Sequence, residues 1–346
     1  MVMTSQDHSL PTLADVARHA GVSVSIASRV LNNDPALRAR SETRATVRRA
    51  AATLEYEPNH AGRSLRLSQA DTIAIVIPDI INPIFTDMLR GVEEESSASQ
   101  LQVLLGRSES LLPGNDYLRR LVGGGRVDGF IVQLPDHLNV RDFESFVGQR
   151  LPLVLMHSKG SRPGSVVADD VLGARIATEH LLGLGHSDIA FVGGVVQNQT
   201  SQRRAQGFAD ALREAGVRRR RSRVLSSGYF PADGRNAGAQ LFADGGQPPT
   251  AVVVANFNAA LGVQYSAAER GLEIPRHVSL VAIHDTWLAD YVTPALTTVR
   301  MPLYEVGRTS VRLLTARMAG GPGQDVVVTD PPPELVLRAS TGPPYR

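Results

Sequence analysis

Cysteine is absent from all 346 residues, and Lys159 is the one lysine among 36 basic residues, the rest being arginine. Without cysteine there is no disulfide, no thiolate nucleophile and no cysteine-based zinc site, and a reducing compartment is permitted. The arginine bias reads as genome composition rather than chemistry. Long apolar runs are also missing: Ile73 to Pro78 and Ala251 to Ala255 are strand-sized, far below the roughly 20 residues of a membrane helix. The opening MVMTSQDHSL has neither the basic nor the apolar segment of a secretory signal. These absences predict a soluble, cytoplasmic chain with no membrane partner. No G-x-S-x-G elbow, Walker loop, H-E-x-x-H pair or carboxylate cluster of metal spacing occurs, and Gly183-Leu184-Gly185-His186 lacks the further glycine of a dinucleotide fingerprint. The expectation is no catalysis, no cofactor and no metal.

What is present begins with 42% apolar and 20% charged residues, enough to bury real cores over a length that suits a small module joined to larger α/β units. Residues 1 to 70 carry nine arginines against six acidic residues, a net +3 in a chain of net +2. A positive excess in a small module is what contact with phosphates requires.

Up to about Tyr56 the apolar spacing is helical. Beyond Asp71, strand-length runs alternate with amphipathic stretches: IAIVIP at 73 to 78, LQVLLG at 101 to 106, VDGFIVQ at 127 to 133, LPLVLM at 151 to 156, IAFVGG at 189 to 194, AVVVAN at 251 to 256 and SLVAIH at 279 to 284. Such alternation predicts βαβ units and buried parallel sheets, an α/β class with two doubly wound subdomains. The domains read as a helical headpiece over 1–57, a linker over 58–70 and a core over 71–346. Within the core, one subdomain takes about 71–168 and 300–330, the other about 169–299 and 331–346. The linker is a poor free-standing helix, since Gly62 costs about 1 kcal/mol relative to alanine and a short isolated segment bears the nucleation penalty. It reads as a segment that folds only when docked.

Leu13 to Asn32 carries two short helices around a tight turn. Leu13, Val16, Ala17 and Ala20 form one apolar stripe, and Ala27, Val30 and Leu31 another. Gly21 supplies the left-handed residue that ends the first helix, and Ser23 caps the second. This is helix-turn-helix spacing, which lays its second helix in the major groove. Val24, Ser25 and Arg29 fall outside the apolar stripe and are the groove-facing candidates, with Ser23 beside them. Arg29 can donate two hydrogen bonds to guanine, Ser25 can bond a base or phosphate, and Val24 can meet a thymine methyl. The plain alternative is a generic helical hairpin with exposed Ser and Arg.

The segments TLADVARHAGVSVSIASRVLN, TRATVRRAAATLEYEPNHAGRSL, TIAIVIPDIINPIF, VDGFIVQLP, ATEHLLGLGHSDIAFVGG, VVVANFNAALG and TPALTTVRMPLYEVGRTSVRLL resemble, in order and spacing, the LacI family of bacterial regulators. The resemblance covers roughly Pro11 to Pro343. It implies a helix-turn-helix headpiece, a periplasmic-binding-protein-like core, and a homodimer on a pseudo-palindromic double-stranded operator. It also implies a hinge helix that wedges Leu65 into the minor groove, with Asn59 and Arg63 as further DNA contacts. An apolar wedge of this kind partly unstacks a base step, and neighbouring arginines hold phosphates. Two departures stand out. Arg40 occupies the family's usual serine cap of the third helix, with Ser41 available one residue later, and Gly62 stands where a helix-favouring residue is common. No leucine-heptad tail follows the last strand, which favours a dimer over a tetramer.

Open parallel sheets bind ligands at the carboxyl ends of their strands. Those ends are Gln133, His157, Asn256 and His284, with Phe85 opening the helix after the first strand. The resemblance places effector contacts on the same residues and adds Gln202, Arg204, Trp287 and Met301. Relatives that bind sugars usually carry aspartate at the positions of His157 and His284. Aspartate accepts hydrogen bonds from vicinal hydroxyls, whereas histidine can donate, accept or carry charge. The candidate effectors are therefore a sugar, a sugar acid or another small carboxylate or carbonyl compound, the acidic or carbonyl class fitting two histidines and Arg204 best. Either histidine also reads as a satisfied structural group, and Trp287 as a rim or dimer-surface residue. The functional expectation is a DNA-binding transcriptional regulator, a repressor, switched by a small molecule. A solute-binding transport protein and an enzyme on the same fold are the alternatives.

Overall fold

The computed structural model describes residues 11–34, 36–57, 69–80, 82–108, 120–121, 123–135, 141, 151–243 and 247–345. The chain divides into two units, Met1–Ala70 and Asp71–Arg346.

In the first unit, α1 (Leu13–His19) starts at a reciprocal cap. The Thr12 hydroxyl accepts from the Asp15 amide while the Asp15 carboxylate accepts from the Thr12 amide. The helix ends where Gly21 takes φ +65°, which lets the Val22 amide donate to the Ala17 carbonyl and the Gly21 amide to that of Arg18. This six-to-one and five-to-two pattern closes the carbonyls that a helix end leaves open. After that turn, Ser23 caps α2 (Val24–Leu31) by accepting from the Ile26 amide. Val16, Ala17, Ala27 and Val30 are buried against Val47, Ala50 and Ala51 of α3 (Ser41–Thr53).

The α3 terminus departs from expectation. Its cap position is Arg40, extended at ψ 148°, and no side-chain cap hydrogen bond forms there among the described residues; Ser41 is already the first helical residue. A guanidinium has no acceptor to offer the exposed amides.

In the second unit, two six-stranded sheets are built from short buried runs. One has the strands β1 (Thr72–Ile77), β2 (Gln102–Arg107), β3 (Gly129–Val132), β4 (Leu153–Met156), β5 (Ser165–Ala168) and β11 (Asp325–Val328), in the order β11-β5-β4-β3-β1-β2. The other has β6 (Ile189–Gly193), β7 (Val224–Ser226), β8 (Ala251–Val254), β9 (Ser279–Ile283), β10 (Thr297–Arg300) and β12 (Glu334–Val336), in the order β12-β10-β9-β8-β6-β7. All pairings are parallel except β10 with β12. The first sheet therefore takes its last strand from near the chain's end. The chain passes between sheets after β5, after β10 and after β11.

Helices cover these sheets: α4 (Phe85–Ala98), α5 (Asp170–Gly183), α6 (Gln199–Glu214), α7 (Pro231–Leu241), α8 (Phe257–Glu269) and α9 (Leu303–Met318). The chain returns to the first sheet through α9, which packs on α4 and against β3, β4 and β5. Glycines set that helix pair's distance: a Cβ on Gly91 would strike the Tyr304 carbonyl, and one on Gly307 that of Met88. No helix among the described residues is long and apolar enough to cross a membrane.

Supplying the missing cap should tighten the headpiece. Arg40→Ser is expected to add about 1 kcal/mol, read in the full-length chain as slower hydrogen exchange of the first α3 amides. Unchanged exchange there would show that the α3 terminus is already satisfied.

Candidate functional site

A cavity opens where the strand ends of both sheets meet the first turns of their helices. Its walls include Pro78 and Asp79 after β1, Gln133, Leu134 and Pro135 after β3, His157 after β4, Asn256 after β8 and His284 after β9. Phe85 of α4, Thr200 and Arg204 of α6 and Leu303 of α9 complete much of the rest.

The two histidines share an unusual backbone. Each follows the last residue of a buried strand, and each adopts the left-handed region, φ +61° at His157 and +72° at His284. A side chain with a Cβ is disfavoured there, so each conformation persists because its surroundings hold it. At His157 the grip is visible: its amide donates to Val166 O, continuing the sheet, while its carbonyl accepts from Thr200 Oγ1 at 3.1 Å and Arg203 Nη2 at 2.9 Å. The turn this produces aims the residue after the strand across the cavity floor.

Behind the histidines lies a buried charge cluster. Asp170, the first residue of α5, has no exposed surface. Its Oδ2 accepts from Arg203 Nε and Nη2 at 3.0 and 2.7 Å, and its Oδ1 accepts from Arg204 Nε at 2.9 Å. Arg204 also donates through Nη1 to the Ala255 carbonyl and through Nη2 to His284 Nε2 at 2.7 Å. A guanidinium only donates, so Nε2 of His284 is the acceptor and its proton sits on Nδ1. That Nδ1 is buried and has no partner among the described residues, as is also true of Gln133 Oε1.

Both imidazoles are held neutral. Burial is the main cause at His157, pushing its pKa down to about 4; Asp170 opposes the shift while Arg204 and Arg203 add to it. At His284 burial again leads, followed by the Arg204 guanidinium and then His157, and the pKa falls well below the ordinary value.

Of the nine residues assigned to this pocket from sequence, the cavity wall brings together Phe85, Gln133, His157, Arg204, Asn256 and His284. Asn256 is engaged structurally as well, capping α8 through the Ala259 amide and donating to Tyr229 O. Three lie apart from that wall. Gln202 is exposed and donates to Val196 O, because the inward face of α6 runs through Thr200, Arg203, Arg204 and Gly207, a phase that leaves residue 202 outside. Met301 is buried against α5, where its sulfur fills the space beside Gly173. Trp287 is 65% exposed and meets Tyr291 edge-on, away from the wall. Missed were Asn198, Thr200, Tyr229 and Phe230 of the wall, and the pairing of Asp170 with Arg203 and Arg204. Asn198 lies five residues beyond the end of β6, and the signal that points to it is a capping residue type just before α6.

In the headpiece, Val24 and Ser25 open α2 and are exposed, while Ser23 is engaged as its cap. Arg29 lies one turn beyond Ser25 on the same face, its Nε donating to Asp34 Oδ2 at 2.7 Å. Asn59, Arg63, Leu65 and the rest of linker residues 58–68 lie outside the described residues. No group of His, Asp and Glu among the described residues is arranged to hold a metal.

Residues 12–59 match the model of bacterial regulatory proteins of the lacI family, and residues 178–341 that of a periplasmic binding protein-like domain. Catabolite control protein A of Priestia megaterium is 31% identical over 89% of this chain and 92% of its own. A solved LacI-family transcriptional regulator from Mycobacterium smegmatis is 39% identical, covering 79% of this chain and 99% of its own, with a TM-score of 0.73. The lac repressor dimer, solved bound to operator and the anti-inducer ONPF, is 25% identical over 96% of this chain and all of its own, with a TM-score of 0.79.

The neutral histidines set a pH dependence. A histidine kept neutral in the fold protonates on unfolding, so its contribution is full above the unfolded value near 6.5 and is lost as pH falls toward the folded value. With His157 at about 4, it alone should lower core stability by about 2 kcal/mol between pH 7 and pH 5. Urea midpoints across that range check this, and His157→Gln should flatten the slope.

Proposed function

Because the chain belongs to the LacI family of bacterial regulatory proteins, we propose that it is a sequence-specific transcriptional repressor: a homodimer that grips a pseudo-palindromic operator and is switched by a small molecule in the core cavity. The observation that carries the DNA-binding half is the exposed face of α2, where Val24, Ser25 and Arg29 stand clear of the buried Ala27 and Val30. A helix presented this way after a glycine turn can enter the major groove and offer its side chains to base edges. By the family's positions, Asn59, Arg63 and Leu65 add contacts from the hinge, with Leu65 as the minor-groove wedge.

The switching half rests on the cavity. Its wall joins strand ends of both sheets, and the His157 carbonyl, from the first sheet, is held by Arg203 and Thr200 from a helix of the second. Lys159 and Gln199 exchange two further hydrogen bonds across the same junction. A molecule that fits the cavity better in one arrangement of the two lobes than in the other shifts the equilibrium between them, and with it operator affinity; equal affinity for both would shift nothing.

The effector we favour is a small carboxylate, sugar acid or carbonyl compound. Two guanidiniums face one carboxylate in the cluster behind the histidines, and the His284 Nδ1 proton lacks an acceptor among the described residues. A plain sugar would instead call for carboxylates at those two positions. The chain has no catalytic role in this reading.

Selection from a random DNA pool should return a pseudo-palindromic site bound by the dimer with affinity that falls steeply with salt; recovery of unselected sequence would refute the reading. A thermal-shift screen of sugars, sugar acids and aromatic acids on the intact protein identifies the ligand class. With a responding compound in hand, His284→Ala is expected to abolish its effect on operator binding while leaving ligand-free DNA affinity within about twofold. A normal response in that variant removes His284 from the pocket's working set.

A further inference from the structure

Asp34 lies beyond the end of α2, outside any position the DNA-reading face was assigned, yet it is the residue that holds Arg29. Its amide donates to the Arg29 carbonyl at 3.0 Å, its Oδ1 accepts from the Ala36 amide at 2.8 Å, and its Oδ2 accepts from Arg29 Nε at 2.7 Å. The carboxylate is thereby fixed by the turn before it meets the arginine. The Arg29 side chain is 41% exposed, and its Nε bond to Asp34 is the one hydrogen bond its guanidinium makes among the described residues.

We propose that Asp34 is a positioning residue that determines base specificity: by clamping Nε it leaves the Nη1 and Nη2 edge of Arg29 as a fixed fork for the O6 and N7 acceptors of one guanine in each half-site. The proposal rests on the reading that Arg29 faces the major groove.

Three physical effects act together. An arginine free to rotate loses rotamer entropy when it binds a base, and a clamped one has lost much of it already. With Nε occupied, the end-on pair of Nη groups is the remaining two-donor edge, and it matches the paired acceptors that guanine alone presents in the major groove. The Asp34 carboxylate also sets a negative charge beside a surface that approaches phosphates. It therefore weakens binding to any duplex that does not reward the fork, and specificity rises from both sides.

The test is a double-mutant cycle on the full-length dimer, read by fluorescence anisotropy. The probes are the selected operator, operators with each guanine changed to adenine in both half-sites, and an unrelated duplex of equal length. Arg29→Ala should erase the preference at one guanine. Asp34→Ala should reduce preference at that same guanine by about tenfold or more, with affinity for the unrelated duplex unchanged or higher. Asp34→Asn, whose single oxygen can accept from Nε or from the Ala36 amide but not from both, should keep only part of the preference, between Asp34→Ala and wild type. Added to Arg29→Ala, Asp34→Ala should change nothing further. The proposal fails if Asp34→Ala keeps wild-type preference while Arg29→Ala loses it. It fails equally if Asp34→Ala weakens every duplex alike, or costs as much in the Arg29→Ala background, since either marks a purely structural turn residue. If Arg29→Ala leaves all preferences intact, the assigned reading face itself is wrong.

Discussion

Asp170 is a carboxylate with no surface open to bulk solvent, and two arginines, which also reach the cavity's histidines, are arranged to answer that one charge. It sits at the first residue of α5, where the helix end favours an anion, and it takes hydrogen bonds from two arginines of α6. Removing either partner would leave a buried charge without compensation, which is far more costly than the net contribution of the intact pair. The same arginines extend the constraint outward. Arg203 reaches the His157 carbonyl and Arg204 reaches His284. A single anion thus ties the starts of two helices to the ends of two strands from different sheets.

This arrangement explains why the cavity, whose wall mixes apolar with polar side chains, is not strongly charged at its surface. The guanidiniums that could have faced a ligand are turned toward Asp170, and their field, added to burial, keeps both imidazoles neutral. Neutral histidines retain one donor and one acceptor each. At His284 the acceptor is taken by Arg204, which leaves the buried Nδ1 proton without a partner among the described residues. Left-handed backbone at both histidines completes the design, since a residue continuing the extended strand would point its side chain to one face of the sheet.

The headpiece follows a different logic. Its contacts are local: a reciprocal cap, a glycine turn and a serine cap within about a dozen residues set the angle between α1 and α2. Even the clamp on Arg29 comes from five residues along the chain. Such a module needs few long-range contacts to present its reading face, and this is why its organisation is so plain in the residues themselves.

That contrast marks what the sequence alone determined and what tertiary structure decided. The glycine turn, the cap at Ser23, the buried strand runs and the polar residues at their carboxyl ends are all local in origin, and periodicity or residue type reveals them. The strand-end rule led to Gln133, His157, Asn256 and His284 because a parallel sheet has only one end at which side chains can converge. Arg40 was legible as an oddity, though its lack of a cap became visible only with the dihedral angles of α3. Other outcomes were invisible to such reasoning. Gln202 missed the wall by the phase of one helix, Met301 was claimed by the gap beside Gly173, and Trp287 by a surface shared with Tyr291. The meeting of Asp170 with Arg203 and Arg204, more than thirty residues away along the chain, had no local signal at all. Electrostatic pairing depends on distance in space, and composition lists charges without saying which of them will be neighbours once water is excluded.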